Sequence, residues 1–471
     1  MTNNPTSKQL NLADIQGLIV RGYNMDVVRY FVLCVDDATK AKQFICDLIN
    51  GESLKITSAE QWNIKPSYCL NIGFTFEGLK ALKLQDDVNQ AFKHGNYQPF
   101  REGAIDRASA IGDTEESDPK NWINGLEQKD KAHILLLLFA QDGDTLSKKS
   151  VELRDKFEKQ KIQELGYFDG AKLPDEDGKP SDMIHFGYRD GITQPRVDGF
   201  PAKDGIPYDG QPVIPAHEFV LIHTTEPPYA PYKVPKPLEL GENGSFAALR
   251  VLKQNVEGFE KFLQNQKDVI NPETLAAKMC GRWRNGVPLD LSPEQDELEP
   301  PISYEKFNSF DYKEDPTGLK CPIGSHIRRN NPRITPTAIG DPNLRRLIRR
   351  GIPYGSAYDP QSADPQSADE ERGLLGLFIC ASLGEQFEFV MKDWVNSGNF
   401  ASLGDKVKDP LLGANNPQDS KFDIPLSPPP DKKSLEIKGF ERFIITRGGA
   451  YCFLPSITAL KYMAGSETTA S

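Results

Sequence analysis

Two stretches of the chain share one pattern of apolar and polar positions. Residues 29–50 read RYFVLCVDDATKAKQFICDLIN, an apolar run and an acidic turn followed by apolar residues at helical spacing. Residues 245–266, SFAALRVLKQNVEGFEKFLQNQ, repeat this order. A short apolar run is typical of a buried strand, and a period near 3.6 residues is typical of a helix. The pattern therefore predicts a strand followed by a helix once in each half of the chain.

Further apolar runs extend this pattern in both halves. The predicted elements are strands at 67–75, 133–139, 217–224, 374–381 and 441–446, and helices at 76–84 and 384–395. Each half then reads approximately β-α-β…β-α-β, the ferredoxin-like arrangement in which helices cover an antiparallel sheet. The repeated order predicts an α+β protein of two duplicated ferredoxin-like domains, residues 1–215 and residues 216–471.

The predicted connections between these elements are long and irregular. Residues 96–130 and 165–215 are rich in Gly, Pro and Asp, which favours loops. The tandem repeat DPQSADPQSAD at 359–369 is typical of a solvated insertion, and PLSPPPD at 425–431 is typical of an extended surface turn. Long loops in a compact protein are usually either functional or disordered, and the tandem repeat is interpreted as an insertion without a catalytic role.

Composition and charge exclude several classes of function. A length of 471 residues favours two domains. The formal net charge of −11 disfavours binding to nucleic acids or anionic membranes. No apolar run approaches the roughly 20 residues that span a bilayer, and the first residues lack a secretory pattern.

The 7 cysteines form no CxxC motif. They are interpreted as free thiols of a cytoplasmic protein, with no structural zinc site.

The stretch HFGYRDGITQPRVDG at 185–199 contains the first candidate for chemistry. Asp190 lies between Gly187 and Gly191, and glycines on both sides let a backbone turn tightly and approach a flat ligand. The alternative is an ordinary Asx-turn, because Asp beside Gly is common in turns.

Two basic stretches follow in the second half of the chain. In RRLIRRGIPYG at 345–355, an extended conformation would send Arg345 and Arg349 to one face and Arg346 and Arg350 to the other. Such an arginine either projects into a pocket as a fixed cation or lies on a solvent-exposed edge of the sheet. In CPIGSHIRRNNPR at 321–333, His326 is surrounded by arginines and asparagines. It is either a ligand or a structural histidine.

Together these three stretches, in this order, resemble the dye-decolorising peroxidase family. LADIQGLIVRGY at 12–23, NIGFTFEGLKAL at 71–82 and GLLGLFICASLGEQFEFVMKDWV near the end resemble other segments of the same family. The resemblance covers most of the chain and is closer to the larger, insertion-rich members. It implies a tandem ferredoxin-like fold with one b-type haem per chain, held mainly by the C-terminal half.

The resemblance also assigns site residues. His326 matches the proximal ligand of the haem iron, and an imidazole nitrogen suits that role. Arg333 matches the arginine that binds a haem propionate, while Arg328 and Arg329 are more doubtful helpers. Asp190 matches the acid that moves a proton on hydrogen peroxide. Gly187 and Gly191 would let its loop pack against the haem edge.

The distal arginine and the proximal acid are less well defined by the resemblance. Arg349 is the choice for the distal arginine that stabilises charge on the peroxide, with Arg350 as its rival. The family often carries an acid that accepts the other imidazole N–H, and Glu385 is the choice here because Gly384 occupies the matching position. On the distal side Gly376 stands where an aromatic is often seen, within the apolar segment 374–378.

The function implied is a haem peroxidase. It uses hydrogen peroxide to take haem iron to a high-valent state and recovers electrons from phenolic or dye-like aromatic donors. Trp394 and Tyr354 are candidates for electron transfer to bulky donors, with ordinary packing roles as the alternative. The rival function is a haem carrier or haem-processing protein on the same fold, which would need neither Asp190 nor Arg349. No nucleic-acid or membrane partner is expected.

Overall fold

The structure is a computed structural model that describes residues 10–201, 211–224, 230–297, 307–333, 341–359, 371–428, 430–431 and 433–465. Its centre is one antiparallel sheet of eight strands. The strands are β1 (Val27–Val35), β2 (Tyr68–Phe74), β3 (Ile134–Ala140), β4 (Ile162–Ala171), β5 (Ser245–Gln254), β6 (Ile348–Tyr354), β7 (Gly373–Cys380) and β8 (Ile444–Leu454).

The order of the strands shows the duplication directly. Across the sheet it is β4-β1-β3-β2-β8-β5-β7-β6, so each half has its fourth strand beside its first, then its third, then its second. The two halves join where β2 pairs with β8 through Phe74 and Phe453. The predicted α+β class with two ferredoxin-like units is therefore confirmed, while the boundary between residues 215 and 216 stays a prediction.

The two edge strands of the sheet come close to each other. A Cβ atom added to Gly170 on β4 would lie 2.8 Å from Cγ2 of Ile352 and 3.0 Å from the carbonyl oxygen of Pro353, both on β6. Only a residue without a side chain permits this approach. The sheet therefore curls until its first and last strands are in contact, as in a barrel.

Helices cover this sheet. They are α1 (Ala38–Asn50), α2 (Phe76–Ala81), α3 (Gln98–Arg107), α4 (Gly143–Lys159), α5 (Val256–Asn265), α6 (Pro272–Cys280), α7 (His326–Asn330), the π-helical segments Leu383–Glu388 and Val390–Val395, which together are called α8, and α9 (Ile457–Ala464). Single turns lie at Gly17–Val20, Val88–Ala91 and Leu238–Gly241. Side chains begin several of the helices: Asp37 accepts from the backbone N–H groups of Thr39 and Lys40 at the start of α1.

Most predicted elements are present, with three differences. The segment 217–224 is not a strand, because a 3₁₀ turn occupies Ala216–Glu218 and the residues after it are irregular. The last predicted strand begins later and extends to Leu454. The predicted loops contain regular elements, because helix α3 lies within 96–130 and most of β4 lies within 165–215. Residues 426–428, 430 and 431 of the predicted turn lie between the paired strands Lys421–Pro425 and Ser434–Lys438. All but the first residue of the tandem repeat lies outside the described residues.

Within the described ranges, no helix is both long and apolar enough to cross a bilayer. All seven cysteines are free thiols, and six of them are buried. This agrees with the interpretation of the cysteines as unpaired.

Candidate active site

His326 is the first residue of α7, and its two ring nitrogens have different surroundings. Nδ1 lies 2.8 Å from Oδ2 of Asp409. Because a carboxylate only accepts hydrogen bonds, this contact places the proton on Nδ1 and leaves the lone pair on Nε2. Nε2 has no hydrogen-bond partner among the described residues, and the side chain keeps 28% exposure. The ring is therefore oriented to offer Nε2 to a ligand.

Asp409 is fully buried and is held as a carboxylate. It accepts hydrogen bonds from the backbone N–H groups of Leu411 and Leu412 and from Nδ2 of Asn330. Burial opposes ionisation, but the hydrogen bonds from His326 and from the N–H of Leu412 favour it, and the pKa of Asp409 lies below its ordinary value. A carboxylate at Nδ1 raises the basicity of the other ring nitrogen.

The expectation that Glu385 accepts this hydrogen bond is wrong. Its carboxylate pairs with Arg345 at 2.9 Å and is 58% exposed. Glu385 follows the N-cap residue Ser382 at the start of α8, and its side chain turns outward there. Asp409, at a separation of 83 residues from His326, takes the place that was predicted for Glu385.

The two arginines after His326 hold α7 in place. Arg328 is completely buried, pairs with Asp315 at 2.9 Å and stacks on the ring of Tyr312. Arg329, also completely buried, donates to the carbonyl groups of Trp394 and Val407. Burial lowers the pKa of Arg329 to about 10. Both guanidinium groups are thus engaged with protein groups, so they position the helix that carries His326.

A second basic cluster consists of Arg333, Arg346 and Arg349, of which Arg346 is buried and has no ion-pair partner within the described ranges. Arg333 donates to the carbonyl groups of Asn308 and Phe310, but its Nε is buried without a partner. Arg346 is only 6% exposed, and its guanidinium has no hydrogen bond or ion pair within the described ranges. Burial and the positive charges of Arg333 and Arg349 lower the pKa of Arg346 to about 9. Such a cluster is costly unless an anion neutralises it.

The loop that carries Asp190 is fixed by its backbone. Gly187 and Gly191 have φ angles of 76° and 77°, which a residue with a side chain rarely adopts. The N–H of Arg189 donates to the carbonyl of Arg284, and that of Asp190 donates to the carbonyl of Asp182. Asp190 thus lies on a loop that has glycines in the left-handed region on both sides and is held by two backbone hydrogen bonds.

The side chains of Arg349 and Arg350 lie on opposite faces of β6. Nη1 of Arg349 lies 3.6 Å from Oδ1 of Asp190, and its Nη2 donates to the carbonyl of Thr193 at 2.7 Å. Arg350 points to the opposite face of β6, where Nε donates to the carbonyl of Leu18 at 2.9 Å. Arg349 is consequently the arginine beside Asp190, as preferred from the sequence.

Hydrogen bonds connect the Asp190 loop to the basic cluster. Nε2 of Gln194 donates to the carbonyl of Arg349 at 2.9 Å. The hydroxyl of Thr193 donates to Oδ1 of Asn308 at 3.2 Å, and the carbonyl of Asn308 accepts from Arg333. The loop that carries Asp190 is thus connected by hydrogen bonds to Arg349 and to Arg333.

The two aromatic candidates for electron transfer are not surface residues. Trp394 is 1% exposed and packs against Phe389 and Phe400. Tyr354 is half-buried, and burial raises the pKa of its hydroxyl. Both therefore have packing roles in this structure.

Comparison with known proteins agrees with these features. Residues 14–174 match the profile of the DyP dimeric alpha+beta barrel domain. The chain is 30% identical to the dye-decolorizing peroxidase msp1 of Mycetinis scorodonius, over 97% of this chain and 88% of that protein. It is 25% identical to the multifunctional dye peroxidase DyP2 of an Amycolatopsis species, over 96% and 95%.

Solved structures give the same result. A dye-decolorizing peroxidase in complex with 2,6-dimethoxyphenol superposes with a TM-score of 0.78 at 27% identity, covering 97% of this chain and 100% of the other. The DyP-type peroxidase from Auricularia auricula-judae superposes with a TM-score of 0.78 at 25% identity, covering 98% and 100%. The similarity therefore extends over both halves of the fold.

Proposed function

This chain belongs to the dye-decolorising peroxidase family and is a peroxidase, and from that premise we propose that it binds one haem b, with His326 as the ligand of the iron. The proposal rests on the different hydrogen bonding of the two ring nitrogens of His326. Nδ1 is bound to a buried carboxylate, and Nε2 is left without a protein partner within the described ranges. A neutral imidazole nitrogen is a common fifth ligand of haem iron.

The residues around His326 fit the rest of the haem group. Haem carries two propionates, and Arg346 is a buried guanidinium with no ion pair within the described ranges, next to the partly exposed Arg333 and Arg349. A propionate would supply the missing anion and accept hydrogen bonds from Arg333 and Arg346. Arg346 is thus proposed as a second propionate ligand beside Arg333.

When bound, haem supplies the iron that hydrogen peroxide oxidises and that aromatic donors reduce. Asp190 then acts on the protons: its carboxylate accepts the proton of one peroxide oxygen and returns it to the oxygen that leaves as water. Arg349 stabilises the negative charge that develops as the O–O bond breaks. Gly187 and Gly191 hold the loop so that the carboxylate is positioned in advance.

We propose phenolic or dye-like aromatic molecules as electron donors. Support comes from a solved relative that binds 2,6-dimethoxyphenol, at 27% identity over nearly the whole chain. A haem carrier, the rival function, would not require an arginine on β6 that lies 3.6 Å from an acid on a neighbouring loop. We also propose a cytoplasmic location, which rests on the seven free thiols.

The experiment that tests this function compares Asp190→Asn with Asp198→Asn, a neighbouring exposed residue of the same loop. We expect both variants to bind haem, and Asp190→Asn to react with hydrogen peroxide at least 100-fold more slowly than wild type in stopped-flow absorption. Asp198→Asn should react at the wild-type rate. A wild-type rate for Asp190→Asn would remove Asp190 from the mechanism.

A further inference from the structure

Two glycines lie directly opposite each other on the sheet beside Asp190. Gly351 on β6 pairs in register with Gly376 on β7, and Arg349 pairs with Phe378 one step along the same face. Side chains of directly opposed residues in an antiparallel pair project to the same face. Arg349, Phe378 and the hydrogen side chains of both glycines therefore share one face of the sheet.

The ring of Phe378 occupies the space above Gly376. A Cβ atom added to Gly376 would lie 3.0 Å from Cε2 and 3.3 Å from Cζ of that ring. The φ angle of Gly376 is not in the left-handed region, so the backbone does not require glycine there. Gly376 therefore leaves room for the ring of Phe378, which lies two residues further along the strand.

Asp190 faces this same surface. A Cβ atom added to Gly351 would lie 3.6 Å from Oδ2 of Asp190 and 3.6 Å from Cδ2 of Leu374. The carboxylate, Leu374 and the ring of Phe378 therefore surround the two glycines. Phe378 rests against Phe387 of α8, with ring centroids 5.5 Å apart, and it remains partly exposed.

We propose that Phe378 is a specificity-determining residue that limits the size of the hydroperoxide able to reach Asp190. The inference rests on the proposed function, because it places the peroxide on this face. Hydrogen peroxide fits beside the ring, whereas the hydrocarbon group of an organic hydroperoxide competes with the ring for the space over the glycines. Gly376 is the partner that makes this position of the ring possible.

The test measures the rates at which the haem-bound protein reacts with hydrogen peroxide and with cumene hydroperoxide, by stopped-flow absorption. For Phe378→Ala we expect the ratio of the cumene hydroperoxide rate to the hydrogen peroxide rate to rise at least tenfold. Phe378→Leu, which keeps an apolar side chain in place and perturbs folding less, should raise the ratio by a smaller factor. The double variant Gly376→Phe/Phe378→Ala returns a ring to the same space and should bring the ratio back toward wild type.

A ratio that stays at the wild-type value in both single variants would overturn the proposal, because a purely structural role would alter stability and leave this ratio unchanged. A double variant that keeps the raised ratio of Phe378→Ala would overturn the role of Gly376. If wild type binds haem but does not react with hydrogen peroxide, the proposed function fails and this inference fails with it.

Discussion

The residues that we propose to act directly on a ligand were the easiest to identify from the sequence. Asp190 between two glycines and His326 among arginines stand out because their neighbours have unusual requirements for conformation or charge. Asp409 could not be identified from the sequence. Its carboxylate accepts hydrogen bonds from the backbone N–H groups of Leu411 and Leu412, a common local motif of aspartate. Nothing in that motif indicates a contact with a histidine at a separation of 83 residues.

Arg346 was missed for a different reason. The two-residue alternation placed Arg346 on the face of β6 opposite Arg349, but the strand begins only at Ile348. The backbone before it is not a strand, so the alternation does not extend to Arg346. Its burial beside Arg333 and Arg349 is visible only in three dimensions.

At this scale the structure gives two neighbouring arginines different positions, with Arg349 beside Asp190 and Arg350 on the opposite face of β6. We expect Arg349→Gln to slow the reaction with hydrogen peroxide about 100-fold, because it removes a charge that faces the peroxide. Arg350→Gln should slow it less than about threefold and instead reduce stability, because Arg350 donates to the carbonyl groups of Leu18 and Ile19. Stopped-flow rates and thermal unfolding of both variants check this. The opposite order of rates would exchange the two roles.

Helices and strands could be predicted from the sequence where all of their residues have the same degree of burial. The strand β3, ILLLLFA, is buried at all seven positions, and a continuous apolar run predicts such a strand well. The strand β4 was missed because it lies at an edge of the sheet and mixes polar, aromatic and glycine residues. Its exposed side does not impose an apolar pattern.

The segment 217–224 was predicted to be a strand but is not one. Its residues Phe219, Val220 and Leu221 are buried, which is why the run resembles a strand. Leu221 exchanges backbone hydrogen bonds with Asn243 and Gly244, and the carbonyl of Glu218 accepts from the N–H of Ala381, but these isolated contacts do not form a ladder. Burial alone therefore does not define a strand, because a ladder of paired residues is also needed.

The turn at the start of this segment carries a buried acid whose titration affects stability. Burial raises the pKa of Glu218 to about 7. A carboxyl with a raised folded-state pKa favours the folded protein below its ordinary value near 4.5, and this contribution is lost as the pH rises to about 7. We expect Glu218→Gln to be more stable than wild type at pH 8 by on the order of 2 kcal/mol, and nearly equal at pH 4.5.

Urea unfolding at the two pH values measures this difference. Glu116→Gln, at an exposed position, is the matched control and should differ little from wild type at either pH. Equal stability of Glu218→Gln and wild type at pH 8 would show that burial does not raise the pKa of Glu218 in solution.

At the scale of the whole molecule, buried ion pairs connect the two halves. Asp113, from the first half, accepts two hydrogen bonds of 2.5 Å from Arg250 on β5 and one from the hydroxyl of Thr446 on β8. Arg107 on α3 pairs with Glu388 on α8, which also accepts from the hydroxyl of Tyr451. These contacts lie where the first half covers the sheet of the second half.

We expect Asp113→Asn to destabilise the protein by roughly 3–5 kcal/mol, because it leaves the charge of Arg250 buried and unpaired. Asp106→Asn removes a pair of equal length, with Lys129, at the surface and should cost less than about 1 kcal/mol. Urea unfolding of both variants measures the costs. Similar small costs would mean that the interface between the halves does not depend on this pair.

The central claim is that His326 holds a haem that reacts with hydrogen peroxide. The most direct measurement is the absorption spectrum of haem-reconstituted wild type and His326→Ala, before and after one equivalent of hydrogen peroxide. We expect wild type to show a Soret band that changes with peroxide and recovers when 2,6-dimethoxyphenol is added, and His326→Ala to lose stoichiometric haem. Full haem content and unchanged peroxide reactivity in His326→Ala, or no Soret band in wild type, would contradict the account.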